Sequence, residues 1–414
     1  MDRVRVVNRP VLIIANALSG GGAEAVAHLM VAQINNGACV LFENNAGVTV
    51  PGKKIKAAYR QYCAGAFFTV LVNLWRLAII QWEKIRLQPE VTISHLEGPN
   101  FANLLTVRGG RKVVFVHNRL TQSYPGNGIR DKIMRYLCRK LYLRADCIVA
   151  VSSGIKQELI ESLRADSSKV IVLPNPVDIK AVKSAANSRY EDYRDALSRK
   201  RYIISVASLT HQKNHSHMLR IYAQFDFCSK HSGSVKLVLL GDGPLRYELQ
   251  SLCRELNLSF FDAQDNCSFD PETQVYFLGF QENPYPLIAQ AEILLMTSHW
   301  EGMPISLLEA MALGIPAVAS DCSEGIRDLW QLPTSSVEHS TSPGVMPTPY
   351  GVLIPLGETD GADVALWAKE IEKIMDDSEK QKRIAQASQD RAGLYGIDCV
   401  VQMWNNSILQ SPRY

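Results

Sequence analysis

The chain has no Cys-x-x-Cys pair; its nine cysteines are odd in number and scattered singly over 414 residues. This excludes a zinc ribbon and a disulfide-stapled fold, and it suits a reducing compartment. No small-residue cleavage site follows the short apolar run that ends at Ala17, so no signal peptide is expected. The Walker A pattern is absent. The first glycine-rich run, Ser19–Glu24, reads SGGGAE rather than Gly-x-Gly-x-x-Gly, and Glu43 meets only marginally the acidic position expected roughly twenty residues on. A P-loop enzyme and a nicotinamide enzyme are therefore disfavoured. Aromatic residues are few, at 8%, and are not interleaved with basic ones as in single-strand binders, so no nucleic-acid partner is expected.

What is present is ordinary globular material, 47% hydrophobic and 21% charged, in a chain long enough for two domains. The net charge of +3 hides an asymmetry. Residues 1–150 hold 20 Lys/Arg against 8 Asp/Glu, a balance of +12, and the remainder holds 24 against 33, or −9. A basic half joined to an acidic half suggests that one half faces something anionic, and on charge alone nucleic acid, a phospholipid surface and a phosphorylated substrate all qualify. Near-continuous apolar runs at Val11–Ala17, Ala38–Phe42, Val91–Leu96, Lys112–His117, Cys147–Ser152 and Val170–Pro174 read as parallel strands covered on both faces. Helical segments are expected between them at Ala23–Asn35, Ala64–Ile85, Ile129–Leu143 and Ser153–Leu163. The rhythm breaks at Asn175-Pro176 and restarts with strands at Tyr202–Ser208, Val235–Gly241, Val275–Gly279, Ile293–Thr297 and Ala317–Ser320. Two surface loops are expected, at Asp262–Pro271 and Thr334–Pro349, and the chain after Asp363 reads as helical. The expected division is 1–180, 181–385, and a helical segment 386–414 packing back on the first domain.

Gly65–Trp82 carries one formal charge, Arg76, in 18 residues with basic flanks at Lys53, Lys54, Lys56, Lys84 and Arg86. It falls at the lower limit for a membrane span, and Asn73 and Arg76 near its centre argue against one. Two readings stay open: a helix buried in the α/β core, and a helix lying in a membrane interface with Trp75 and Trp82 at headgroup level. Residues 129–144 interleave six Lys/Arg with Ile133, Met134, Leu137 and Leu141. That segment is either a solvated face with snorkelling stems or a surface for anionic lipid.

The densest chemical signal is residues 298–325, SHWEGMPISLLEAMALGIPAVASDCSEG. A strand ends at Ser298, a loop carries Glu301-Gly302-Met303-Pro304, and a helix runs from about Ile305 to Leu313, with Pro304 suited to its first position and Gly314 to its end. Free amides of residues 303–306 then face the end of the sheet, where open α/β domains bind ligands and where a phosphate suits a helix start. Glu301 on the loop and Glu309 two turns down the helix are placed to accept hydrogen bonds from hydroxyls at two ends of one ligand, not to cage a metal.

The pattern Glu-Gly-x-Pro-(x)4-Glu-Ala-Met-Ala-x-Gly-x-Pro resembles the signature of retaining glycosyltransferases of family 4, whose GT-B fold sets two Rossmann-like doubly wound domains face to face across a cleft. Ser19–Glu24, Val113–His117, Leu173–Asp178 (LPNPVD), Leu240–Gly243 (LGDG) and Gly351–Pro355 resemble further stations of that family in order. The resemblance spans about residues 10–400 and implies a nucleotide-sugar donor as substrate. By it, Glu309 binds the ribose hydroxyls, Glu301 binds hydroxyls of the sugar, and amides of the segment Gly302, Met303, Pro304 and Ile305, in which the proline has no N–H to give, contact sugar and diphosphate. Gly21 and Gly22 bring the first loop's backbone close to the diphosphate. His117 contacts the sugar near the anomeric carbon, and Lys213 neutralises the diphosphate.

One station departs from the family. Where Gly-Arg-Leu is usual, the chain reads Ala207-Ser208-Leu209, so a cation is missing, and Arg327 or Arg119 is the candidate substitute. No Asp-x-Asp run occurs, and the resemblance implies transfer with retention and no divalent metal or other cofactor. Asp321–Asp328 resembles the stretch common in members using UDP-sugars, although Ile326 replaces its proline; a UDP-hexose or UDP-N-acetylhexosamine is favoured over GDP-mannose. The expected acceptor is a lipid-linked or polysaccharide glycan of cell-surface assembly. It is met at the cytoplasmic face, on an anionic membrane surface that holds the basic first domain. The alternative is a GT-B binding or regulatory module weakened in catalysis by Ser208.

Overall fold

The computed structural model describes residues 10–34, 36–43, 50, 54–57, 66–126, 128–190, 192–265, 269–332, 344–357 and 361–409. Two compact units emerge: Met1–Pro176 with Ile397–Tyr414, and Val177–Gly396. The observed junction thus falls four residues before the expected one. The segment that returns to the first unit starts at Ile397 rather than 386, because the helix Ser378–Gly393 packs within the second unit against Ile305–Leu313. Arg111 Nη1 donates to the Ile408 carbonyl at 3.0 Å and ties the last turns to the first unit's sheet.

The first unit is a seven-stranded parallel sheet built from β1 (Val11–Ala15), β2 (Gly37–Leu41), β3 (Lys54–Ala57), β4 (Val91–His95), β5 (Arg111–Val116), β6 (Cys147–Ala150) and β7 (Val170–Val172). Its order is β3-β2-β1-β4-β5-β6-β7. Consecutive fully buried residues in β1, β4 and β6 are what a sheet covered on both faces demands. β3, the edge strand KIKA, was not expected, since two lysines in four residues mask it. Nor was the helix Glu97–Leu105, whose Gly98-Pro99 reads as a turn but sits in the first helical turn, where proline is tolerated.

The second unit carries β8 (Arg201–Val206), β9 (Val235–Leu240), β10 (Phe260–Asp262), β11 (Val275–Gly279), β12 (Ile293–Met296), β13 (Ala317–Ser320), β14 (Met346–Thr348) and β15 (Gly351–Ile354). The order is β10-β11-β9-β8-β12-β13-β15-β14, parallel except for the β14–β15 pair. Its core packs Tyr222, Phe225, Phe277 and Trp367 against the central strands. The second expected loop contributes an edge strand, β14, while the first begins at the last residue of the edge strand β10; residues 334–343 lie outside the described residues. Cys63, Cys267, Gly65 and Lys53 also lie outside them. The seven described cysteines are free thiols.

The helix Ala66–Leu87 buries one face in the core and exposes the other. Ile80 joins Leu12, Ile14, Val40 and Phe42 in the core, whereas Leu71, Leu74, Trp75, Trp82 and Ile85 along the opposite stripe are exposed, Trp82 by 63%. Among the described residues, no helix is long and apolar enough to cross a membrane.

Candidate functional site

Both sheets change direction at their first strand; Gly21, Gly22, Lys213 and the Glu301–Pro304 loop follow strands that flank those reversals, His117 follows β5 one strand further out, and Glu309 lies within the helix Ile305–Leu313. In the second unit β8 is flanked by β9 and β12, so the crevice expected at the reversal opens between the ends of β8 and β12. The segment after β8 closes a single 3-10 turn, His211–Lys213, and Asn214 follows in the left-handed region at φ 50°. The segment after β12 is the 297–304 loop. Thr297 Oγ1 donates to the carbonyls of Lys213 and Asn214, the His299 amide donates to the Gln212 carbonyl at 2.8 Å, and Gln212 Nε2 donates to the Trp300 carbonyl at 2.8 Å. Two loops far apart in sequence are thereby fixed as one surface.

Across that seam Lys213 Nζ meets Glu301 Oε1 at 2.6 Å, and Ser298 Oγ donates to the same oxygen at 2.7 Å. Glu301 is 5% exposed and Lys213 19%. A carboxylate this buried needs its partner, and a half-buried ammonium paired with one carboxylate oxygen retains donors for an incoming anion. A small recess lined by Ser205, Lys213, Ser298, Glu301 and Ser306 lies at the pair.

The helix Ile305–Leu313 starts beside it. Pro304 occupies the capping position with extended backbone, one residue before the place expected, and no side chain caps the first turn. Gly302, Met303 and Pro304 are buried, and Ile305 is half-buried. The loop is held from behind: a Cβ on Gly325 would stand 1.6 Å from the Gly302 carbonyl oxygen, so the start of the helix Glu324–Leu329 packs directly on it. Gly314 ends the Ile305–Leu313 helix at φ 78°, as expected of a left-handed cap. Glu309 stands on that helix and accepts a hydrogen bond from Tyr285 Oη at 2.8 Å, while burial pushes its carboxyl up to about 7. Tyr285 carried no motif and was missed; nothing in its local sequence marks it.

Arg327 is not available as the replacement cation. Its guanidinium makes a buried two-point contact with Asp321, Nε to Oδ1 at 2.8 Å and Nη2 to Oδ2 at 2.5 Å, and that charge is matched within the fold.

In the first unit the reversal lies between β1 and β4. Gly21 and Gly22 follow β1 at the start of the helix Gly22–Gln33; Gly21 is extended, and a Cβ there would meet only its own neighbour's flexible carboxylate, Glu24 Oε2 at 2.6 Å. The residue that requires glycine is Gly20, at φ 111°. His117 follows β5 and is 6% exposed. Glu158 accepts from the amides of Leu120 and Thr121 at 2.8 and 2.9 Å and anchors the turn after it. His117 also meets a residue that sequence reasoning did not single out: His95, the last residue of β4, whose Nδ1 lies 3.0 Å from His117 Nε2. Among the described residues no cluster of three His, Cys, Asp or Glu side chains could hold a metal ion.

Residues 191–331 match the family described as glycosyl transferases group 1, and residues 35–181 match Glycosyltransferase Family 4. The chain is 30% identical over 238 residues to the N-acetylgalactosamine-N,N'-diacetylbacillosaminyl-diphospho-undecaprenol 4-alpha-N-acetylgalactosaminyltransferase of Campylobacter jejuni, covering 57% of this chain and 58% of that one. It is 31% identical over 191 residues to the lipopolysaccharide 1,6-galactosyltransferase of Escherichia coli, covering 45% and 46%. The chain thus spans about half the length of these curated relatives. HepE of Anabaena, solved in complex with UDP-glucose, shares the fold with a TM-score of 0.71 at 18% identity, covering 97% of this chain and all of that one.

Proposed function

The chain belongs to the GT-B glycosyltransferases of group 1 and family 4, and we propose that within them it transfers a hexose or N-acetylhexosamine from a nucleotide sugar, UDP-linked before GDP-linked, to a lipid-linked or polysaccharide acceptor. The observation that carries this reading is the Lys213–Glu301 pair, joined across the strand reversal next to a helix start without a side-chain cap. A nucleoside diphosphate-sugar meets each part. The diphosphate takes the helix amides and Lys213, the sugar hydroxyls take Glu301, and the ribose takes Glu309. The curated relatives' acceptors, an undecaprenol-linked glycan and lipopolysaccharide, are the grounds for the acceptor class.

The reaction proceeds with retention and without a divalent metal. The bond from the anomeric carbon to the diphosphate oxygen breaks while the acceptor oxygen bonds to that carbon from the same face. The acceptor's proton passes to the departing diphosphate oxygen. Lys213 and the amides of Ile305 and Ser306 carry the charge that develops on the leaving group, as preorganised donors do in an oxyanion site. The direct test is release of UDP from a panel of UDP-hexoses in the presence of an undecaprenyl-diphosphate-linked amino-sugar acceptor, with the product's anomeric configuration read by NMR. Release with a product of the donor's own configuration supports the reading; an inverted product rejects retention.

Glu309 adds a pH dependence. With its carboxyl near 7, it is neutral in acid and becomes a full acceptor of two ribose hydroxyls as the pH rises. Since ribose binding favours the ionised form, UDP affinity rises between pH 6 and 8 by about tenfold, the change in ionised fraction of such a group. Titration calorimetry on wild type and Glu309→Gln checks this; the glutamine variant loses the pH-dependent component.

The first unit docks on an anionic bilayer at the cytoplasmic face. Two features support this: the exposed apolar stripe of Ala66–Leu87, and the helix Ile129–Leu141, where Ile129, Ile133 and Tyr136 are exposed beside Arg130, Lys132, Arg139 and Lys140. The helix Glu97–Leu105 packs against both. Each basic residue near such a surface contributes about 1 kcal/mol. Flotation with vesicles containing anionic lipid recovers the protein, and the Trp75→Ser/Trp82→Ser variant floats less; absence of wild-type flotation rejects the surface.

A further inference from the structure

We propose that His95 is a positioning residue that fixes the tautomer of His117, holding it with its proton on Nδ1 so that it presents an N–H donor to a ligand oxygen. The two rings are stacked, with centroids 5.3 Å apart and planes 26° apart, and His95 also stacks on Phe115 at 4.6 Å. Parallel register sets His95 beside Phe115 on the neighbouring strand, so the pair is built into the sheet and not into a mobile loop.

The contact between His95 Nδ1 and His117 Nε2 joins two ring nitrogens, so one must donate and the other accept. The outer nitrogens, His95 Nε2 and His117 Nδ1, are both buried without a hydrogen-bond partner among the described residues. That leaves two arrangements. If His117 donates, the second proton sits on His95 Nε2, a permanently orphaned N–H on a residue 1% exposed. If His95 donates, its Nε2 is left as a bare acceptor and the unpaired N–H falls on His117 Nδ1. Each arrangement leaves one buried N–H unpaired, so the choice turns on which ring a ligand can reach, and His117 is 6% exposed against 1% for His95. The second arrangement places the open donor on the residue at the strand end, where a ligand can complete it. Burial holds both rings in the neutral form, His117 down to about 3 and His95 well below its ordinary value, so no proton on both nitrogens offers a third arrangement at neutral pH.

The position is that of a ligand site. His95 ends β4 at the strand reversal of the first unit, the glycine turn at Gly20 ends β1's neighbouring loop, and between His95 and the helix Glu97–Leu105 stands Leu96 at φ 70°, ψ 164°. A bulky residue in that region is strained, and such strain persists where a site holds its backbone in place. The oxygen that completes His117 is a hydroxyl of a glycan substrate; this last step alone rests on the function proposed above.

Long-range proton–nitrogen NMR of protein labelled with 15N-histidine reads the tautomer directly, with His95→Asn and His117→Asn variants giving the assignment. The expected spectrum shows neutral His117 protonated on Nδ1; a proton on its Nε2, or an imidazolium at pH 7, overturns the proposal. In His95→Leu the nitrogen pattern of His117 changes and kcat falls about tenfold, the loss of one hydrogen bond, with UDP affinity unchanged. In His95→Asn, whose amide N–H lies near the former Nδ1–H, both recover. Equal loss in the Leu and Asn variants overturns the positioning role. An Nδ1–H His117 in a protein that transfers no sugar upholds the proton placement and rejects the transferase reading instead.

Discussion

Lys213→Ala lowers turnover about 10²–10³-fold, the effect of removing one preorganised donor from a leaving-group site. The ammonium is the cation joined to Glu301 at 2.6 Å, and the usual arginine of the neighbouring station is replaced by Ser208, which is exposed and neutral. Arg327, committed to Asp321, does not compensate the loss. The variant also strands a carboxylate that is 5% exposed, so part of the effect reaches donor binding through a shifted 298–304 loop. Double-mutant comparison separates the two: Lys213→Ala/Glu301→Gln regains stability over Lys213→Ala, since no unpaired charge remains, but regains no turnover. Steady-state kinetics with a thermal melt of each variant checks both parts. Lys213→Ala turning over within threefold of wild type would remove this residue from the chemistry.

Gly325→Ala is the second large effect, and it acts without touching a charged group. The added Cβ lies 1.6 Å from the Gly302 oxygen, 2.6 Å from its carbonyl carbon and 3.1 Å from Met303 Cα, all backbone that cannot swing aside. The loop carrying Glu301 must move as a body or the helix Glu324–Leu329 must back off. Overpacking of this kind costs about 1–3 kcal/mol or more, which lowers the melting point by several degrees in a unit of this size. Because the displaced segment is the loop proposed to hold the donor, UDP affinity falls with it. Gly361→Ala is the matched control: nothing stands within 4 Å of its added Cβ, and stability holds or rises. Differential scanning calorimetry and UDP titration of both variants test the pair.

How far these features were legible in the residues varies with what specifies them. The 301–316 block was readable because a strand end, a loop, a helix start and a glycine cap are each encoded locally, and the helix Ile305–Leu313 lies where the pattern set it. Pro304 moved by one position because capping geometry depends on the backbone of the preceding loop, which no single residue encodes. The buried strands were readable from their apolar runs, but β3, β10 and β14 are edge strands of three or four residues. Their pairing comes from the neighbour and not from their own composition. In the first glycine loop, sequence reasoning favoured Gly21 and Gly22, whereas the backbone sign that demands glycine is at Gly20, a torsion invisible in a run of three. Tyr285 and His95 were missed for a common reason. Each reaches its partner, Glu309 or His117, from a different element, and such pairings are set by sheet order and helix packing. The apolar segment 66–87 was ambiguous for the opposite reason, since a helix with apolar residues on every side gives no phase from which to choose the buried face.

We propose that the second unit holds a nucleoside diphosphate-sugar by Lys213, Glu301, Glu309 and helix amides, without a metal. Thermal denaturation of the full chain with UDP, GDP, ADP and NAD, each with and without EDTA, tests it most directly. A ligand at 100 times its dissociation constant adds about 2.7 kcal/mol, enough to raise the melting point by several degrees. The account predicts a rise with UDP that EDTA leaves unchanged, and that Glu309→Gln and Lys213→Ala reduce. A rise abolished by EDTA, or no rise with any nucleotide, contradicts it, the latter leaving a GT-B module that has lost its donor.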